Sequence, residues 1–132
     1  MQVRTHVMFQ GDADEALALY RSVFPAFEVE VQDRYGAGEA LPEGAIKLAS
    51  ARFAGHELII YNSPPIHDFK FTPSTSLYVE CDSAEALDAA FEQLSREGQI
   101  LMPVGDYGFS ARYGWLLDPF GLSWQLSLPH PA

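Results

Sequence analysis

The feature that most constrains how this 132-residue chain can fold is an internal repeat. Asp12–Leu17 reads Asp-Ala-Asp-Glu-Ala-Leu, and Asp82–Leu87 reads Asp-Ser-Ala-Glu-Ala-Leu, at an offset of 70 positions. Each copy has the Asp-x-x-Glu spacing of a helix start, in which the aspartate would accept a hydrogen bond from a free backbone N–H. Self-similarity at a fixed spacing predicts a duplicated structural module.

Both copies have the same order of predicted elements. A strand-like run precedes each helix, and three more follow it, so that each module reads β-α-β-β-β. The first helix should end by Phe24, because Pro25 disfavours helical geometry in the residue before it. The second should end near Gly98, a favourable residue just beyond a helix. The predicted strands are 3–9, 27–35, 45–53 and 57–61 in the first module, and 76–81, 99–104, 113–117 and 122–128 in the second.

We therefore predict an α+β fold in a single domain of residues 1–132. Module one covers about residues 1–63, a linker with Pro64 and Pro65 covers about 64–72, and module two covers about 73–129. A four-stranded sheet with one helix layer leaves its other face uncovered. We expect the two modules to solve this by pairing their sheets around a concave cleft.

Charge and cysteine content narrow the classes of function. The formal net charge is −10, which argues against nucleic-acid binding and against an anionic membrane surface. Such a charge is typical of a soluble protein, and it could also attract a cationic ligand. The single cysteine, Cys81, excludes an internal disulfide, and its acidic neighbours disfavour a reactive thiolate. Without a long apolar run or a signal-peptide core, the sequence predicts a cytoplasmic protein.

Several motifs resemble one family. The chain resembles the PhnB-like branch of the vicinal oxygen chelate superfamily, which includes glyoxalase I, extradiol dioxygenases and bleomycin-resistance proteins. That branch is often labelled 3-demethylubiquinone 3-methyltransferase. The resemblance implies a glyoxalase-like fold, a homodimer and a small-molecule cleft. It rests on Glu15–Leu17 leading to Tyr20 and Phe24-Pro25, on Phe69–Pro73, on Leu77–Cys81 and, most specifically, on Gly114–Gln125.

The resemblance also allows a test for a metal site. Metal-dependent members of the superfamily take ligands from the first and last strands of each module, and counting places those positions at Thr5, Ile59, Thr75 and Gln125. Threonine is a poor metal ligand and isoleucine is none. We therefore expect no metal and no cofactor. A register shift of one residue would bring His6 forward and would favour a metal-dependent enzyme instead.

Strand alternation predicts which side chains line the cleft. Arg112 and Arg34 are candidate anchors for an anionic group, because a guanidinium offers paired donors. Trp115 belongs to a cluster of aromatic residues between Tyr107 and Trp124 that could wall a pocket. The other predicted cleft residues are Thr5, Val7, Ile59, Tyr61, Thr75, Leu77, Ser123 and Gln125.

The function predicted on this basis is binding of an unidentified small molecule in the cleft, without the superfamily's metal site. No catalytic residue can be assigned. The segment Tyr35–Gly38 looks like a strand connection rather than a methyl-donor loop, because Pro42 follows with no helix pattern behind it. Three alternatives stay open: a drug-sequestering resistance protein, a metal-dependent lyase, isomerase or dioxygenase, and a subunit that binds a protein partner.

Overall fold

The computed structural model describes residues 1–131, which form two compact units. The first unit is Met1–Asp68, and the second begins at Phe69, within the predicted linker. The first unit holds β1 (Thr5–Phe9), α1 (Ala13–Val23), β2 (Glu28–Arg34), β3 (Ile46–Phe53) and β4 (His56–Asn62). The second holds β5 (Ser76–Glu80), α2 (Ala84–Ser95), β6 (Gln99–Gly105), β7 (Arg112–Leu117) and β8 (Ser123–Leu128). The predicted α+β class and the tandem β-α-β-β-β order are confirmed.

Each unit contains one four-stranded mixed sheet with the same topology. The strand order is β1-β4-β3-β2 in the first unit and β5-β8-β7-β6 in the second. In both, the first strand runs parallel to the last, with Thr5 opposite Leu58 and Ser76 opposite Ser123. The remaining neighbours are antiparallel. The repeat detected in the sequence is therefore a repeat of complete sheets.

Helix α1 covers one face of the first sheet. Its buried residues include Leu17 and Tyr20, at the spacing that places them on one helix face. The Tyr20 ring lies 6.4 Å from that of Phe9 on β1 and 5.6 Å from that of Phe27, measured between ring centroids. The helix ends at Val23, and the extended backbone of Phe24 leads into Pro25, as predicted.

The start of each helix differs from the predicted Asp-x-x-Glu arrangement. The side chain of Asp12 makes no capping hydrogen bond. Instead, the buried amide of Asn62, at the end of β4, accepts from the backbone N–H groups of Gly11 and Ala13. In the second unit the cap is Ser83, whose hydroxyl accepts from Ala86 N at 3.1 Å, rather than Asp82. The capping prediction is therefore wrong at both aspartates, because a neighbouring side chain occupies the position in each case.

Helix α2 covers the second sheet in the same way. Leu87, Phe91 and Leu94 are buried, and the Phe91 ring lies directly over Gly114 of β7. A Cβ atom at Gly114 would come within 2.5 Å of that ring. The glycine therefore lets α2 approach the sheet closely.

Neither helix within residues 1–131 has the length and apolar character that a membrane span requires.

Candidate ligand-binding site

Each sheet has one face under its helix and one face turned away from it, which we call the first and the second open face. In the first unit the helix side is marked by buried Phe9, Leu58 and Ile60. Side chains alternate along a strand, so the neighbouring residues lie on the first open face. Ile59 and Tyr61 of β4 are there, as predicted for the cleft, and both are half-buried. The His6 ring lies 6.5 Å from that of Tyr61 and shares this face.

The predicted orientation of β1 is wrong. Thr5 and Val7 lie on the same side as Phe9, which packs on α1, and Val7 is buried. The open-face residues of this strand are therefore His6 and Met8. The position predicted to face the cleft is therefore off by one residue, and a shift of one residue exchanges the two faces of a strand.

The same correction applies to β5. Leu77 is paired with Trp124, which is fully buried on the α2 side of the sheet, so Leu77 also faces the helix. Thr75 is exposed and lies one residue before the strand begins. The residues of β5 on the second open face are Ser76, Tyr78 and Glu80.

The two candidate arginine anchors are engaged elsewhere. Arg112 lies on the helix side of β7 and forms a two-point ion pair with Asp88 of α2, at 2.7 Å for Nε–Oδ1 and 2.9 Å for Nη2–Oδ2. The hydrogen bond to Asp88 raises the pKa of Arg112 above its usual value. Arg34 donates to the carbonyl of Gly44. The prediction that Arg112 lines the cleft is therefore wrong, because its guanidinium ties α2 to the sheet.

The other predicted residues of the second unit form a connected hydrogen-bond network on the second open face. The Tyr113 hydroxyl donates to Gln125 Oε1 at 2.6 Å, and Gln125 Nε2 donates to Ser76 Oγ at 3.1 Å. The Ser76 and Ser123 hydroxyls are 2.6 Å apart, and Trp115 Nε1 donates to Ser123 Oγ at 2.8 Å. We call these five residues the polar network. Three predicted cleft residues, Trp115, Ser123 and Gln125, thus share the face of the second sheet that is turned away from α2.

An aromatic loop borders the polar network. Tyr107 and Phe109 lie between β6 and β7, and their rings contact Tyr113 edge-on, with centroids 5.8 Å and 4.7 Å away. Burial raises the pKa of Tyr113, so its hydroxyl stays protonated as a donor across the physiological range. The side chains of Tyr107 and Phe109 are 40% and 60% exposed. Accessible aromatic rings therefore lie beside the polar network.

The potential metal donors on the open faces are imidazole, carboxylate, hydroxyl and amide groups. The first open face has the imidazole of His6 beside Ile59, and the carboxylates of Glu28, Glu30 and Glu57. The second has the Glu80 carboxylate, and hydroxyls and the Gln125 amide that already bond to one another. Among residues 1–131, no three His, Cys, Asp or Glu side chains are grouped so that they could hold a metal ion. Divalent metals in such sites favour imidazole and carboxylate ligands, and the Glu57 carboxylate is already bonded to Arg52 and Gln2.

The first open face carries a cavity of about 480 Å³ that sequence reasoning missed. Glu57 is central to it: Arg52 Nη2 and Gln2 Nε2 each donate to one of its oxygens at 2.8 Å. The hydrogen bond from Arg52 lowers the pKa of Glu57 most, and Gln2 and the charge of Arg4 lower it further. The other lining residues are Glu28, Val29, Glu30, Ser50, Ala51 and Leu58.

Cys81 is not part of either open-face arrangement. Burial, and then the charge of Asp82, raises the pKa of its thiol to about 11. At pH 8 the thiol is therefore almost wholly protonated, and the thiolate fraction grows only as the pH approaches 11. Because the thiolate is the reactive form, this environment is consistent with the predicted unreactive cysteine.

Alkylation of Cys81 tests this assignment. We expect iodoacetamide at pH 8 to modify the folded protein about a hundredfold more slowly than the urea-unfolded chain, because little thiolate is present. The rate should still rise between pH 8 and pH 10. Folded and unfolded rates within about threefold of each other would contradict this assignment, because they would show an accessible thiol with an ordinary pKa.

The glycine-containing segment after β2 has no helix behind it. Residues 35–45 form turns and bends that lead into β3. Two hydrogen bonds stabilise this loop. The Arg34 guanidinium donates to the carbonyl of Gly44, and the N–H of Gly44 donates to the carbonyl of Tyr35. A methyl-donor or phosphate loop would have to open a helix. The segment is thus a strand connection, as the sequence indicated.

Comparisons with known proteins agree with the resemblance noted in the sequence. The family model described as 3-demethylubiquinone-9 3-methyltransferase matches residues 1–127. The PhnB protein from Bacillus cereus is 41% identical to this chain, over 97% of this chain and 99% of that one, with a TM-score of 0.89. Protein YjdN from Escherichia coli (strain K12) is 23% identical over 141 residues, which cover 97% of this chain and 95% of YjdN.

A more distant structure shares the fold alone. The glyoxylase/bleomycin resistance protein/dioxygenase domain from Frankia sp. EAN1pec is 13% identical, over 98% of both chains, with a TM-score of 0.69. At this identity the match says nothing about ligand or reaction. It does show that the β-α-β-β-β repeat of this chain is a glyoxalase-type architecture.

Proposed function

Because this chain belongs to the PhnB-like, glyoxalase-fold family described as 3-demethylubiquinone-9 3-methyltransferase, we propose that it binds a small planar molecule bearing a carbonyl group. The site is the second open face, between the polar network and the aromatic loop. The proposal concerns binding and includes no methyl transfer, because the glycine segment after β2 leads into a strand.

The observation that carries the proposal is the fixed orientation of the Gln125 amide. Its oxygen accepts from Tyr113, so its nitrogen must point toward Ser76. An amide nitrogen has two hydrogens, and Ser76 accepts one. The second has no acceptor among the residues that the structure describes, and Gln125 is half-exposed. A ligand carbonyl would therefore meet a donor that is already oriented, at low entropic cost.

The surrounding side chains favour a flat, uncharged ring. The half-buried indole of Trp115 is held in place through Ser123, and the exposed rings of Tyr107 and Phe109 lie beside Tyr113. Aromatic walls stack on planar molecules and supply apolar contact. A quinone ring combines a planar shape with carbonyl acceptors, and the family's description names a quinone derivative.

We propose that this binding needs no divalent metal. On the first open face, the Glu57 carboxylate nearest the His6 strand is bonded to Arg52 and Gln2, and on the second the hydroxyls and the Gln125 amide bond to one another. A metal-dependent lyase, isomerase or dioxygenase would require a stronger ligand set. We also propose that the protein forms a homodimer and is cytoplasmic. The family resemblance supports the homodimer, and the sequence supports the location.

The change Gln125→Leu tests the site. The probe is the ubiquinone head group without its prenyl tail, and binding is measured by calorimetry and by the NMR shift of the Trp115 indole N–H. We expect the variant to bind about tenfold more weakly, which corresponds to the loss of one hydrogen bond. Its thermal stability should fall modestly, because Tyr113 and Ser76 each lose one hydrogen-bond partner, so binding is measured at a temperature where the variant is folded.

Gln93→Leu is the matched control. The Gln93→Leu variant has the same chemical change on α2, where the native Gln93 amide only donates to the carbonyl of Ala89. This variant should bind the probe as the native protein does. Equal affinity of the Gln125 and Gln93 variants, or no binding of the head group to the native protein, would contradict the proposal.

A further inference from the structure

The cavity on the first open face has charges that its own contacts do not neutralise. Its floor is formed by the two central strands, where Arg52 of β3 and Glu57 of β4 make an ion pair of 2.8 Å. Gln2 occupies the second oxygen of Glu57. The floor is therefore closed to a ligand's charged groups, although Ser50 adds a hydroxyl beside it.

The two ends of the cavity carry opposite charges. Arg4 immediately precedes β1, at one edge of the sheet, and Glu28 and Glu30 lie on β2, at the other edge. Glu28 is opposite Arg52 and Glu30 is opposite Ser50, so both carboxylates are on the first open face. None of these three end residues forms an ion pair within the part of the chain that the structure describes.

The strand order sets the separation of these charges. Three strand spacings separate β1 from β2, or about 14 Å between backbones, and the side chains that reach in from both edges shorten the gap. A ligand with one charge could satisfy only one end. A ligand with a positive and a negative group several bonds apart could satisfy both.

The geometry points to a second binding site in this cavity, for a zwitterion with an ammonium group at Glu28 and Glu30 and a carboxylate at Arg4. An ω-amino acid has this chemistry. The Arg52–Glu57 pair forms an uncharged floor under its methylene chain, since the charges of the pair cancel. The site lies in the first unit and does not rest on the ligand proposed for the second.

An NMR titration with a series from glycine to aminohexanoate tests the proposal. We expect backbone amide shifts at Arg4, Glu30 and Ser50, with affinity increasing along the series as the charges move apart. Hexylamine and hexanoate, which carry one charge each, should bind about three- to tenfold more weakly than aminohexanoate. Added salt should weaken aminohexanoate binding, because the charges at both ends are exposed.

Two variants test which residues bind the carboxylate and the ammonium group of the ligand. In Arg4→Gln, aminohexanoate should lose its advantage over hexylamine, and in the double variant Glu28→Gln/Glu30→Gln it should lose its advantage over hexanoate. Arg21→Gln removes one positive charge, and the double variant Glu15→Gln/Glu43→Gln removes two negative charges, on exposed residues that do not line the cavity; both should leave the preferences intact.

Three results would overturn the proposal: no shifts at the cavity residues, equal affinity for the three six-carbon probes, or unchanged preferences in the Arg4 and glutamate variants. Gln125→Leu separates this site from the one in the second unit. It should abolish neither the shifts at Arg4 and Glu30 nor the preference for aminohexanoate.

Discussion

Replacing Asn62 with alanine should lower the free energy of unfolding by about 3 kcal/mol, because the change leaves several buried polar groups without partners. The Asn62 side chain is completely buried. It accepts from the N–H groups of Gly11 and Ala13, at 2.8 Å and 3.3 Å, and donates to the carbonyl of Ile46 at 2.9 Å. One side chain thus joins the start of α1, the start of β3 and the end of β4.

Urea denaturation followed by circular dichroism measures this effect. Gln32→Ala is the control, because Gln32 also hydrogen-bonds through its amide within the first sheet, to Ser50, but on the exposed surface. That variant should change stability by less than about 0.5 kcal/mol. A loss below about 1 kcal/mol for Asn62→Ala would mean that water or a rearranged backbone satisfies the three groups.

Gly98→Ala should prevent the second unit from adopting its native packing. A Cβ atom at Gly98 would overlap the carbonyl oxygen of Leu117 and would lie 2.9 Å from the carbonyl carbon of Asp118. Both are backbone atoms, so relief requires moving β7 away from the start of β6, where Gln99 is paired with Leu117. We expect a loss of more than about 3 kcal/mol, in the range of severe core overpacking.

Gly105→Ala is the matched control for this change. Gly105 is at the other end of β6, and a Cβ atom there would meet its nearest neighbour at 3.8 Å, an ordinary contact. We expect this variant to remain folded with near-native stability. Thermal unfolding of the two variants provides the comparison. A Gly98→Ala protein as stable as the Gly105→Ala protein would show that the β6–β7 connection is more adaptable than its geometry indicates.

The fold was predictable because the repeat supplies the same pattern twice. The Asp-x-x-Glu repeat before each helix, Pro25 after the first helix and Gly98 after the second all mark boundaries that depend on local sequence. The observed strands begin and end within two residues of the predicted ones. Local chemistry decides such boundaries, so a single sequence was sufficient.

The orientation of β1 was not predictable in this way. Thr5, Val7 and Phe9 alternate with His6 and Met8, so each face of the strand contains residues that could be buried. The contact between Phe9 and Tyr20 decides which face meets the helix, and that contact is visible only in three dimensions. By contrast, β8 alternates clearly between polar Ser123 and Gln125 and apolar Trp124 and Leu126, and its orientation was predicted correctly.

Interactions between residues far apart in the sequence were also not predictable. Asn62 lies 51 residues from Gly11, whose N–H group it binds, and the local Asp-x-x-Glu pattern suggested a different cap. The cavity of the first unit draws on residues near β1 and on β2, β3 and β4. The alternation of Glu28 and Glu30 on β2 was a usable sign that two carboxylates share a face. What it could not reveal was Arg4 at the opposite end of the cavity.

The parallel pairing of the first and last strands in each unit has a consequence for how the chain folds. Thr5 cannot meet Leu58, nor Ser76 meet Ser123, until the whole segment between them has been gathered. Closing loops of this length costs entropy before any pairing repays it, which slows folding. During synthesis, β1 therefore has no strand to pair with until β4 has left the ribosome. Every strand of the first sheet has been made once Asn62 is added, so this sheet does not have to wait for any strand of the second unit.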